Sequence, residues 1–115
     1  MGTGAERYEG TSYTVGGVTY IIPALSFGAL KKLRDKINRM IAGEATEDEA
    51  QDTTCAIVHA ALVRNYPEMT LEFVSDEIVD FRNYRELTQL TLQAAGYVKA
   101  PEGKVVAESP QTSVS

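Results

Sequence analysis

The chain has 115 residues, 43% hydrophobic and 23% charged, with a formal net charge of −5 at pH 7, an ordinary composition for one globular domain. The acidic balance argues against general nucleic-acid binding, which needs a basic excess to displace counterions. No apolar run reaches the roughly 18 residues of a membrane span, and the single cysteine, Cys55, excludes an internal disulfide and fits a reducing compartment.

Residues 1–11, rich in Gly, Thr and Glu, are expected to be disordered, and MGTGAERYEG lacks the basic and apolar regions of a secretion signal. From Tyr13 to Ile22 polar and apolar side chains alternate around Gly16-Gly17. A two-residue type I′ turn there pairs Val15 with Val18 and Tyr13 with Tyr20 on one face, and Thr14 with Thr19 on the other. Pro23 ends the second strand because it has no N–H for the ladder. Ser26 is a good N-cap for a first helix whose apolar stripe is Phe27, Leu30, Leu33, Ile37, Met40 and Ile41, with Gly43 as its left-handed C-terminal residue.

Thr46 and Glu49 form a capping box for a second helix with the stripe Ala50, Thr54, Ile57, Val58, Ala61 and Leu62, extending as far as Tyr66 and stopped by Pro67. A short third helix follows Thr70 and carries Leu71, Phe73, Val74 and Ile78, with Phe73 expected mainly in the core. A fourth starts near Asn83, buries Leu87, Leu90 and Ala94, and ends at Gly96. Residues 98–115 read as a disordered tail. The expected fold is therefore α+β and mostly helical: an N-terminal β-hairpin packed on a bundle of about four helices, spanning residues 12–97.

Chemistry-bearing clusters are sparse. Asp52, Cys55 and His59 share a helix face at spacings that zinc or a thiol–base pair would tolerate. They include the only Cys and the only His, and Ile57, Val58 and Leu62 surround them, so a half-buried thiol and a satisfied histidine explain them. The carboxylate runs Glu47-Asp48-Glu49 and Asp76-Glu77 sit at helix starts or in polar loops, where capping and solvation suffice. No phosphate-binding glycine loop is present. Neither catalytic residues nor a metal or cofactor is expected.

Charge is polarised. Residues 1–43 hold six basic and three acidic groups, and the remainder five basic and thirteen acidic ones. The first helix concentrates Lys31, Lys32, Arg34, Lys36 and Arg39, and Lys32, Lys36 and Arg39 are candidate contacts for an acidic protein partner. No aromatic stacking platform for nucleic acid accompanies them. Phe73, Phe81 and Tyr84, in the least regular part of the domain, are the further candidate contacts.

The order of features resembles the tail assembly chaperones of long-tailed bacteriophages. The resemblance lies in TVGGVTYIIPALSFGALKKLR, with its Pro-x-Leu-Ser step into a helix, in IVHAALVRNYPEMTLEFVSD, with its Arg64-Asn65-Tyr66-Pro67 helix stop, and in LTQLTLQAAGY, spanning about residues 13–97. It implies a non-enzymatic protein of the bacterial host cytoplasm, encoded by a phage or prophage. Such a protein binds the tape measure protein, keeps it soluble, helps recruit tail tube subunits, self-associates weakly and is absent from the mature virion. Many members also exist in a longer frameshifted form, and Gly103-Lys104 is compatible with a slippery codon run near the end of the short one. The rival readings are a small tail or neck adaptor retained in the virion, a DNA-binding regulator using the basic helix, and an enzyme centred on Cys55 and His59.

Overall fold

In the computed structural model, which describes residues 8–94 and 96, strands β1 (Gly10–Val15) and β2 (Val18–Pro23) form an antiparallel hairpin. The register is as expected, Tyr13 opposite Tyr20 and Val15 opposite Val18. Gly16 and Gly17 have φ of +59° and +81°, the left-handed conformations that a type I′ turn requires. On the outer face the Thr14 and Thr19 hydroxyls hydrogen-bond at 2.7 Å.

The hairpin is longer than expected. It begins at Gly10, inside the segment read as disordered, and Gly10 pairs with Pro23. The backbones approach so closely there that a side chain at position 10 would overlap the Ile22 carbonyl. The expectations for residues 1–7 and 98–115 lie outside the described residues.

Helix α1 (Phe27–Ile41) starts where the Ser26 hydroxyl accepts the Ala29 N–H at 3.1 Å. It ends in a Schellman motif: the Glu44 N–H bonds the Arg39 carbonyl and the Gly43 N–H the Met40 carbonyl, with Gly43 at φ +77°. Its inner face is Ile37, fully buried, flanked by half-buried Leu30, Leu33 and Met40. Phe27 and Ile41 do not join that face; they are 85% and 51% exposed. They flank the Leu33–Ile37 stripe rather than share it, a distinction that three-and-four spacing blurs.

Helix α2 (Glu47–Leu62) carries both hydrogen bonds of the Thr46–Glu49 capping box and is the central element, packed by α1, by α4 below, by β2 and by the segment after Thr70. Thr53, Thr54, Ile57, Val58, Ala61 and Leu62 are all buried. The helix ends at Leu62, before Pro67, and unwinds through a turn at 63–65.

Thr70 caps α3 (Leu71–Phe73), which widens at once into a π-helical turn (Val74–Ile78) closed by a Val79 N–H to Val74 carbonyl bond of 3.0 Å. Val74 and Ile78, four residues apart, take the core positions, so Leu71 and Phe73 face outward at 47% and 41% exposure. Phe73 is thus a surface residue and not the core residue expected.

Asp80 and Asn83 then exchange bonds: the Asp80 carboxylate accepts the Arg82 and Asn83 N–H groups, and the Asn83 side-chain oxygen accepts the Asp80 N–H. Helix α4 (Tyr84–Ala94) follows. It buries Leu87, Thr91 and Leu92, with Leu90 half-buried and Ala94 exposed, so the expected burial of Ala94 is corrected to Thr91 and Leu92. The Thr91 hydroxyl is satisfied by the Leu87 carbonyl at 2.8 Å, which lets a polar side chain occupy a core position. Gly96, at φ +77°, donates to the Gln93 carbonyl near the predicted helix end.

One core draws on β2 and the corner after it, α1, α2, the π-helical turn and α4: Ile22 and Leu25, Ile37, Ile57, Val58, Ala61 and Leu62, Val74 and Ile78, Leu87 and Leu92. The architecture is α+β, an N-terminal hairpin packed on helices.

Candidate protein-binding surface

The run Arg64-Asn65-Tyr66, which the sequence presents as a helix stop, is a clamp that holds the hairpin. Buried Asn65 accepts the Tyr8 N–H at 2.7 Å and donates to the Tyr8 and Ile21 carbonyls at 3.0 and 3.3 Å. The Tyr66 hydroxyl accepts the Ile21 N–H at 2.8 Å, and its ring meets Tyr20 edge-on at 5.7 Å. The Arg64 guanidinium donates to the Ala24 carbonyl at 2.6 Å and lies 3.9 Å from the Tyr8 ring centroid. Together these bonds fix the outer edge of β2 and the corner into α1, so α1 and its cations have a set orientation. Spacing gives no hint of this, because the partners lie 40 to 57 residues away in sequence.

On α2's surface, a groove of about 270 Å³ opens between Asp52 and Cys55, Val79 and Asp80 of the following loop, and Phe81 and Tyr84. Phe81 stands at its rim with 78% of its surface in water. The Asp80–Asn83 bonds hold the turn that presents this ring. A second depression, between α1 and the start of α2, is lined by Lys36, Arg39, Glu49 and again Asp52. Asp52 borders both, so four of the six predicted contact residues, Lys36, Arg39, Phe81 and Tyr84, lie along adjoining grooves.

Arg39 is already engaged. It bridges to Glu49 at 3.0 Å and reaches the Glu44 carbonyl at 3.3 Å. The Thr46 backbone N–H, then Arg39, holds the Glu49 carboxyl below its ordinary range. Arg39 therefore closes the α1–α2 corner, whereas no ion pair engages Lys36 among the described residues. Lys32 is exposed on α1 but borders neither groove, and Phe73 lies elsewhere, in a depression with Pro67 and Met69.

The Asp52–Cys55–His59 face carries no metal geometry: among the described residues no group of three ligands converges. His59 Nε2 bonds the Met69 carbonyl at 3.0 Å, tying α2 to the loop before α3. Burial, and then the charge of Asp52, raises the Cys55 thiol above its ordinary value, the opposite of what a nucleophile needs.

The ring of Phe81 gives the first groove an exposed apolar rim, and Lys36 and Asp52 border the second with opposite charges. The chain matches no family model, no curated protein and no solved structure.

Proposed function

We propose that this chain is a non-enzymatic tail assembly chaperone of a long-tailed bacteriophage, acting in the host cytoplasm. It binds the tape measure protein, helps recruit tail tube subunits and leaves before the virion matures. The ordered resemblance over residues 13–97 carries the reading. The α+β architecture is compatible with it, and the exposed Phe81 beside a groove supports a protein-binding role.

In this scheme Phe81 and Tyr84 grip apolar side chains of the tape measure, and Lys36 orients an acidic neighbour. Each contact is modest. A long ligand with many such segments is held by avidity across several chaperone copies, and every copy remains removable. That suits a protein displaced by an advancing tube better than one tight interface does.

Co-expression with the tape measure protein encoded downstream tests this. The chain is expected to co-purify with it and raise its soluble yield, and Phe81→Ala is expected to reduce both. Mass spectrometry of purified virions should find the tape measure and tube proteins without this chain. Recovery of the chain in mature particles at constant stoichiometry would instead establish a tail or neck adaptor.

A further inference from the structure

Among the described residues four polar side chains are buried: Thr53, Thr54, Asn65 and Thr91. Three of them have partners. Asn65 holds the hairpin, the Thr54 hydroxyl meets that of Thr88 at 2.7 Å, and the Thr91 hydroxyl donates to the Leu87 carbonyl. Thr53 is the exception. It is 3% exposed, and among the described residues nothing hydrogen-bonds its hydroxyl. A buried hydroxyl without a partner destabilises a fold, so native structures seldom keep one that no bound group meets.

Thr53 lines the depression of about 360 Å³ between α1 and the start of α2, with Lys36, Arg39, Ala45, Glu49 and Asp52. The charges around it are only partly matched. Arg39 uses one nitrogen, Nη2, for both Glu49 and the Glu44 carbonyl, and its Nε and Nη1 carry no bond among the described residues. Glu49 is compensated by that bridge. Lys36 and Asp52 have neither an ion pair nor a hydrogen bond among the described residues. One depression therefore holds a buried hydroxyl, spare cationic donors and an uncompensated carboxylate.

We infer that this depression binds a small zwitterion, an α-amino acid with an aliphatic side chain. Its carboxylate takes donors from Lys36, from the spare N–H groups of Arg39 and from the Thr53 hydroxyl, and its ammonium faces Asp52. A dianion such as phosphate is disfavoured because Glu49 and Asp52 stand on the same walls, and a bare cation is opposed by Lys36. Half-buried Ala45 and the methylene stems of Lys36 and Arg39 give the ligand side chain an apolar wall. The inference goes beyond the tail-assembly reading and does not rest on it.

Titration of the full chain with L-leucine, followed by amide NMR, tests it. Shifts should be confined to the α1–α2 corner, around Lys36, Arg39 and Glu49 to Thr53, and should saturate with a Kd of about 1 mM. N-acetyl-L-leucine lacks the ammonium and L-leucinamide lacks the carboxylate; each should bind about tenfold more weakly. Lys36→Gln and Asp52→Asn, at exposed positions, should weaken L-leucine by about the same factor with an unchanged circular dichroism spectrum. Thr53→Val should also weaken it and, without leucine, should raise the thermal midpoint, because it removes an unpaired buried hydroxyl. A hydroxyl that served the fold would give the opposite shift. The inference is overturned if L-leucine gives no saturable shifts at this corner, or if a blocked analogue or inorganic phosphate binds as well as L-leucine. It is equally overturned if the variants bind L-leucine as wild type does, or if Thr53→Val lowers the thermal midpoint. No tape measure is present in this assay, so its failure leaves the chaperone reading standing, and failed capture of the tape measure leaves the ligand site standing.

Discussion

Asn65 commits all three of its side-chain bonds to the backbone of distant segments, Tyr8 and Ile21, from a position only 5% exposed. Replacement by alanine leaves the Ile21 carbonyl and the Tyr8 groups to find water at the hairpin edge. Asn65→Ala should lower unfolding stability by about 2 kcal/mol in urea titrations. Tyr66→Phe, which loses the bond from the Ile21 N–H, should lose about 1 kcal/mol. Tyr13 offers a pH-dependent test. Its hydroxyl donates to Glu86 at 2.8 Å, and burial, followed by the Glu86 bond and charge, pushes its pKa up to about 12. The folded chain then holds that proton more tightly than the unfolded chain, so the contribution is complete below pH 10 and is lost as pH rises toward 12. Absorbance titration should show the Tyr13 hydroxyl ionising late. Glu86→Gln should bring it earlier without restoring the ordinary value, because the burial remains.

The same logic changes character at the level of whole elements, where local chemistry governs ends and tertiary contacts govern faces. Ser26, Thr46 and Thr70 cap α1, α2 and α3 as their sequence contexts predict, since a cap bonds amides only two or three residues away. Gly43 is legible for the same reason. At φ +77° it closes the Schellman bonds of α1, and Gly43→Ala should cost about 1 kcal/mol in thermal or urea unfolding while leaving helix content unchanged. The π turn after α3 was not legible. It adds one residue to the turn that brings both Val74 and Ile78 into the core, and the choice between a four-residue and a five-residue hydrogen bond depends on what α2 presents there.

For the molecule as a whole, the proposed function puts stability and binding on separate residues, and this separation can be measured. Ile57 is fully buried at the centre of the core, so Ile57→Ala should destabilise by about 3 kcal/mol. Phe81 is 78% exposed, so Phe81→Ala should change stability by no more than about 0.5 kcal/mol. Partner capture should respond in the opposite order, with Phe81→Ala weakening it and Ile57→Ala affecting it only through the folded fraction. Denaturation curves and pull-downs on the same two variants read both quantities. If Phe81→Ala leaves capture intact, the groove is not the contact.

By itself the amino-acid order determined the hairpin register, the caps and the helix count. All of these depend on neighbours within a few positions, where alternation, turn glycines and capping hydroxyls act directly. Only the tertiary structure decided that Phe27, Ile41, Leu71 and Phe73 face water, that Lys36 and Arg39 adjoin Phe81 and Tyr84 across Asp52, and that Arg64-Asn65-Tyr66 clamps a hairpin more than forty residues away. Periodicity states which side chains share a face of a helix. It does not state which of two apolar faces another element will cover, because that is set by the competition of all the elements for one core.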